Sequence, residues 1–116
     1  MEIIGLGTDI EKVSRFAGRS ESFLRKCFTE REIEYCMRHR NFAQHLAGRF
    51  CAKEAFSKAM GHPNEWHDAE IINNDRGKPQ IILAGKAKEE LENCETEVSI
   101  SHCDDYATAT VIIYKK

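Results

Sequence analysis

The spacing of apolar residues changes several times along this chain, and each change marks an element. "EIIGLGTD", residues 2–9, is short and apolar with two glycines, which predicts a strand ending at Asp9. In "IEKVSRFAGR" the spacing turns helical, with Ile10, Val13 and Ala17 on one side, Lys12, Arg15 and Arg19 on the other, and Gly18 as terminator. A helix with one basic face is therefore expected directly after Asp9. Ser20 is placed to cap a short helix. Thr29 and Glu32 stand at capping-box spacing, which contributes on the order of 1 kcal/mol to a helix starting near residue 30. From Asn41 to Met60 the pattern stays helical, about 30 Å if unbroken, and Gly61 with His62-Pro63 stops it.

Beyond Pro63 the period becomes two. "AEII" and "PQIIL" flank "NNDRGK", whose Asn, Asp and Gly predict a hairpin, with Pro79 at the start of the second strand, where a missing N–H does least harm. "AGKAKEELEN" reads as a short helix, and "EVSIS" and "YATATVIIY" as strands around the turn "HCDD". The expected fold class is α+β: helices packed on an antiparallel sheet supplied by the second half, with the first strand added to it, in one domain over 1–116.

Composition narrows the function. At 116 residues, 41% hydrophobic and 31% charged, the chain has the make-up of a water-soluble globular domain. No apolar run approaches the roughly 20 residues that span a bilayer, and the N-terminus lacks the basic start of an export signal, so a cytoplasmic protein without a membrane partner is expected. Five cysteines, widely spaced and odd in number, favour free thiols over a disulfide framework. Cys36 with His39, or His62 with His67, is half of a zinc site at most, and no second pair stands at ligand spacing.

The net charge of -2 conceals segregation. Lys12, Arg15, Arg19, Arg25 and Lys26 face Glu21 alone over residues 12–26, whereas residues 89–105 carry seven acids and no Lys or Arg. The basic stretch implies an acidic partner. Nucleic acid is disfavoured by a pI near 6.2 and the lack of an aromatic ladder.

The chemistry concentrates in "RFCAKEAFSKAMG", residues 49–61. Wound as a helix, Ala52, Ala55, Phe56 and Ala59 form an apolar stripe, and Phe50, Glu54 and Lys58 a column opposite. Glu54 four residues before Lys58 is by itself an ordinary surface pair worth roughly 0.2–0.5 kcal/mol. Phe50 in that column calls for a partner to cover it, and Arg49 and Lys53 add positive charge beside it. A carboxylate beside Lys and Arg is half of a site for a divalent cation and a phosphate, since Mg²⁺ takes one or two carboxylates and completes its octahedron with water and phosphate oxygens. Asp9, at the end of a strand whose glycines permit close approach, is the candidate second carboxylate.

Three blocks in order, "GLGTDIEKVSRF", "LAGRFCAKEAFSKAMG" and "VSISHCDDYATATVII", together with "NDRGKP", closely resemble the holo-[acyl-carrier-protein] synthases, the short bacterial 4'-phosphopantetheinyl transferases. The middle block meets the signature of an aromatic, x-x-Lys-Glu-Ala-x-x-Lys-Ala, through Phe50, Lys53, Glu54, Ala55, Lys58 and Ala59. The resemblance implies Mg²⁺-dependent transfer of 4'-phosphopantetheine from coenzyme A to a serine of apo acyl carrier protein, with release of adenosine 3',5'-bisphosphate.

By position it implies Asp9 and Glu54 as metal ligands and Lys58 on the diphosphate, these three being the catalytic set. Arg49, Lys53, Lys58 and His102 are the coenzyme A candidates, with a turn histidine bonded to its own hairpin as the other reading of His102. Arg15 aligns with the carrier-protein contact, Lys12 and Arg19 share its face, and Phe50 becomes an apolar anchor near that surface. A homotrimer with sites at subunit interfaces is implied as well. The proton acceptor is Glu54 or a water on the metal. Two rivals stand beside this reading: a metal-dependent coenzyme A pyrophosphatase, and a non-catalytic module that docks an acidic protein. "HPNEWHDAE" falls outside the alignable blocks, which leaves Trp66 and His67 without a role, and Cys103 stands where a hydroxyl residue is common in the family.

Overall fold

A computed structural model describes all residues, Met1–Lys116. Strand β1 (Glu2–Lys12) leads through a 3₁₀ turn (Val13–Phe16) to helices α1 (Glu21–Cys27), α2 (Glu30–Met37) and α3 (Phe42–Met60). Strands β2 (Ala69–Asn73) and β3 (Pro79–Leu83), helix α4 (Gly85–Glu90) and strands β4 (Cys94–His102) and β5 (Tyr106–Lys115) follow. The α+β class is as the sequence reads, with one difference: the strands form two antiparallel sheets, β1-β5-β4 and β2-β3.

The predicted caps are in place. Ser20 Oγ accepts from Phe23 N at 3.1 Å. Thr29 and Glu32 close their capping box, Glu32 Oε1 accepting from Thr29 N at 2.8 Å and Thr29 Oγ1 from Glu32 N at 3.3 Å. Gly61 ends α3 with φ 84°, a conformation in which a side chain is strained.

Helix α3 is the centre of the molecule. Through its middle it is buried on every side, with β1 and β5 against one face and α2, β2 and the 3₁₀ turn around the rest. Strand β5 presents Ala107, Ala109, Val111 and Ile113 inward at period two. On the other side Phe16, Phe28, Leu46, Phe56 and Ile71 complete the core.

The first strand runs longer than its apolar pattern suggests. Its pairing with β5 continues through Asp9↔Ala109, Glu11↔Ala107 and Lys12↔Tyr106, so Asp9 lies inside the strand and not at its end. Because the ladder engages this backbone, the expected helix over residues 10–19 does not form. Lys12 ends the strand, Arg15 lies in the 3₁₀ turn, and Arg19 follows Gly18, whose φ of 73° redirects the chain. The basic residues are close in sequence but share no helical face.

Candidate active site

Gly5, Gly7, Asp9 and Glu11 alternate onto the α3-facing side of β1. A Cβ on Gly5 would lie 2.1 Å from the Ala59 carbonyl oxygen, and one on Gly7 1.9 Å from that of Ala55. Only glycine permits this approach, and it carries the next residue on that face, Asp9, to the flank of α3 where Glu54 and Lys58 project.

Lys58 Nζ donates to Asp9 Oδ1 at 3.1 Å and to the Thr8 carbonyl at 3.0 Å. Asp9 Oδ2 is buried and has no partner. Burial, and then the charge of Asp9, push the Glu54 carboxyl above its ordinary value, with Lys58 and Arg15 opposing. Asp9, Glu54 and Lys58, nearly fifty residues apart along the chain, are therefore one electrostatic unit.

Glu11 belongs to this cluster and was not foreseen. Burial and then the neighbouring Asp9 carboxylate raise its carboxyl to about 7, while Arg15, in contact with it, pulls the other way. The available signal was its position two residues beyond Asp9, on the same strand face; it was hidden because residues 10–19 read as a helix.

The donor set fits a divalent cation of the Mg²⁺ type. Nowhere do three or more His, Cys, Asp or Glu side chains converge into a closed cage. An unpartnered buried carboxylate oxygen beside a second carboxylate whose ionisation is disfavoured is instead the open arrangement in which water and phosphate oxygens supply the remaining ligands. A cleft of about 560 Å³ opens beside it, lined by Glu54, Ser57, Lys58, Asn64 and Trp66 among others.

Two expected site residues are placed otherwise. Lys53 is 3% exposed, and its ammonium is consumed by Glu32 Oε1 (2.9 Å) and by the Trp66 and Ala69 carbonyls (2.8 Å each). Burial lowers its pKa, Glu32 opposes that shift, and no proton is left for a phosphate. Phe50 is 7% exposed, packed between Phe16 (5.1 Å between ring centres) and Trp66 (5.0 Å), so it is a core residue and no surface anchor. Phe50 is buried at the head of its column on α3 because the 3₁₀ turn and Trp66 cover it, a long-range packing that helical spacing cannot reveal. Trp66 thereby has a role, and His67 Nε2 meets the Arg25 carbonyl at 2.9 Å.

Arg49 is 4% exposed, with its guanidinium 4.0 Å from the centre of the Tyr35 ring, Nη2 on Asn73 Oδ1, and Nε buried without a partner. Together with Tyr35, His45, Gly77 and His102 it lines a second cleft of about 240 Å³. Arg49 and His102 thus come together as expected, but nine residues up α3 from Lys58, about 14 Å along the axis. His45 was also missed; burial, then His39, Arg49 and His102, lower its pKa to about 4.

Arg15 stays exposed over the Phe16 and Phe50 rings, 5.5 and 5.4 Å from their centres, and Arg19 lies 3.8 Å over Phe23. All five cysteines are free. No helix is long and apolar enough to cross a membrane.

Comparison with known proteins agrees with this geometry. The sequence model of the 4'-phosphopantetheinyl transferase superfamily matches residues 5–111. The chain is 42% identical over 121 residues to the holo-[acyl-carrier-protein] synthase of Caldanaerobacter subterraneus subsp. tengcongensis, covering 97% of this chain and 94% of that protein. It is 40% identical over 124 residues to that of Geotalea daltonii, covering 97% and 99%. Among solved structures, the holo-(acyl-carrier-protein) synthase of Bacillus anthracis in complex with CoA (3',5'-ADP) superposes with TM-score 0.86 at 31% identity over all of both chains. The Helicobacter pylori enzyme in complex with coenzyme A gives 0.81 at 28%, over 94% of this chain and 99% of that one. Taken with the Asp9–Glu54–Lys58 cluster, these likenesses show that the chain belongs to the 4'-phosphopantetheinyl transferase superfamily, among the holo-[acyl-carrier-protein] synthases.

Proposed function

We propose that this enzyme transfers 4'-phosphopantetheine from coenzyme A to a serine hydroxyl of apo acyl carrier protein and releases adenosine 3',5'-bisphosphate. One observation carries the reading: Lys58 reaches Asp9, whose second oxygen is free, beside a Glu54 held above its ordinary pKa. Asp9 and Glu54 would hold Mg²⁺, which when bound neutralises the diphosphate and the charge developing on the departing phosphate.

The remaining work falls to the chain. The serine oxygen bonds to the β-phosphorus while the bond from that phosphorus to the bridging oxygen breaks, and Lys58 stabilises charge on the same phosphates. The serine proton has two acceptors, Glu54 or a solvent molecule beside it. Arg49, with its free Nε, is the cation for the 3'-phosphate of coenzyme A, and His102 lines the same cleft as a second hydrogen-bonding group. Lys53 is not one of them.

A homotrimer with shared sites is the assembly that suits this geometry. Within one protomer the Arg49 cleft stands about 14 Å along α3 from Lys58. On the outward face of β1, Leu6 and Ile10 are 65% and 60% exposed, an apolar surface that a neighbouring copy would cover. Arg15 is the contact for the acidic carrier, with Lys12 and Arg19 steering from separate elements rather than from one helix. Free thiols and the coenzyme A substrate suit the cytoplasm.

Incubation with apo acyl carrier protein, coenzyme A and Mg²⁺ tests this, with the carrier weighed by mass spectrometry. The expected product is carrier heavier by one phosphopantetheine. An unchanged carrier overturns the proposal; coenzyme A cleaved without carrier present would identify a pyrophosphatase, and binding without cleavage a docking module.

A further inference from the structure

Glu32 and Lys53 form an ion pair with almost no access to water. Every hydrogen-bonding position of the ammonium is filled: Glu32 Oε1, the Trp66 carbonyl and the Ala69 carbonyl. The carboxylate also accepts from Thr29 N on Oε1 and from Ile71 N on Oε2, both at 2.8 Å. Four segments therefore meet at two side chains: the cap and first turn of α2, the middle of α3, the turn that begins at Trp66, and the start of β2 at Ala69 and Ile71.

Apolar residues of equal volume would bind these segments together about as firmly as a buried ion pair does. What they could not do is hold two carbonyl oxygens at fixed points. Trp66 and Ala69 line the cleft, as does Lys53 itself, and Glu54 and Lys58 line it too. Phe50, stacked on Trp66, is the wall's second fastening. Lys53 is bonded through the backbone to Glu54, so one residue fixes the spacing between the wall and the reactive row.

We propose that Glu32 and Lys53 are positioning residues for coenzyme A: acting through the Trp66–Ala69 wall, they set the width of the cleft beside Glu54 and Lys58. This rests on the reading of that cleft as the coenzyme A site. It assigns to the signature lysine a brace rather than a phosphate contact, and to Glu32 control of a cleft that it does not line.

The test compares the parent enzyme with the double variant Glu32→Leu/Lys53→Met, which removes both charges at similar volume, and with Glu32→Gln, which keeps the side chain's shape. Folding is followed by thermal melting, coenzyme A affinity by calorimetry without carrier, and KM for each substrate by turnover. The expected result is a folded double variant with affinity and KM for coenzyme A weakened about tenfold, an almost unchanged KM for carrier protein, and Glu32→Gln shifted in the same direction. Two folded variants with parental coenzyme A affinity, or with both KM values raised equally, overturn the brace. A parent that fails to bind coenzyme A at all overturns the reading of the cleft, and the brace with it.

Discussion

Gly7 lies so close to Ala55 that a Cβ on the glycine would stand 1.9 Å from the alanine's carbonyl oxygen. This contact between β1 and the backbone of α3 carries Asp9 to Lys58. Neither main chain can yield without moving a central element. Gly7→Ala is expected to destabilise the fold by about 3 kcal/mol and to weaken divalent-cation binding, as read by urea denaturation and by titration with Mn²⁺.

The three polar groups of the site should separate by their effects. Asp9→Asn and Glu54→Gln remove a donor charge with little change of shape, so each should keep the fold, lose affinity for Mn²⁺ in calorimetry, and lose at least about a hundredfold in turnover. Lys58→Met should slow turnover comparably while leaving cation affinity equal or tighter, because its ammonium competes for Asp9 Oδ1. Weaker cation binding in Lys58→Met would contradict this division of labour.

Arg49 offers a test by substrate. If its guanidinium receives the 3'-phosphate, Arg49→Lys should raise KM for coenzyme A on the order of tenfold and leave KM for 3'-dephospho-coenzyme A nearly unchanged. Parallel increases for both substrates would place the 3'-phosphate elsewhere.

His45 makes stability depend on pH. Packed against His39 with ring centres 4.0 Å apart, and facing Tyr35, Arg49 and His102, it takes up a proton in the folded state only near pH 4, against 6.5 ordinarily. Between these values the unfolded chain binds the proton and the folded one does not. Stability is therefore complete above about 6.5 and falls as pH drops toward 4. His45→Gln should flatten that slope, by on the order of 1 kcal/mol once solvent screening reduces the effect, in denaturation curves taken at pH 4.5 and 7.

The proposed assembly is tested on the outward face of β1. Leu6→Lys places a charge in the apolar surface shared with Ile10 without touching the core side of the strand. Light scattering should show trimer for the parent and monomer for the variant, with transfer activity lost together with the trimer.

Local rules are written in neighbouring residues, and those parts of the molecule were legible. The Thr29–Glu32 box, the stop at Gly61, the hairpin around residues 74–78 and the period-two strand β5 each depend on a few adjacent side chains. The row of Glu54 and Lys58 depends only on helical pitch, and the glycines of the first strand pointed to its partner, Asp9, which the resemblance of three separated blocks implies as well. Residues 10–19 failed because the hydrogen bonds of Ile10, Glu11 and Lys12 are made to β5, nearly a hundred positions away. Glu11 was lost with them.

Burial divides the two sources of information most sharply. The sequence by itself determined which side chains carry charge, at what helical or strand spacing, and hence that a carboxylate, an amine and an aromatic share a column of α3. Only the tertiary structure decided which of them meet water: Lys58 remains free to reach Asp9, whereas Lys53 is spent on Glu32 and Phe50 lies beneath Arg15. The physical reason is that exposure is a property of what packs on a residue from elsewhere in the chain, and periodicity within one helix holds no record of that.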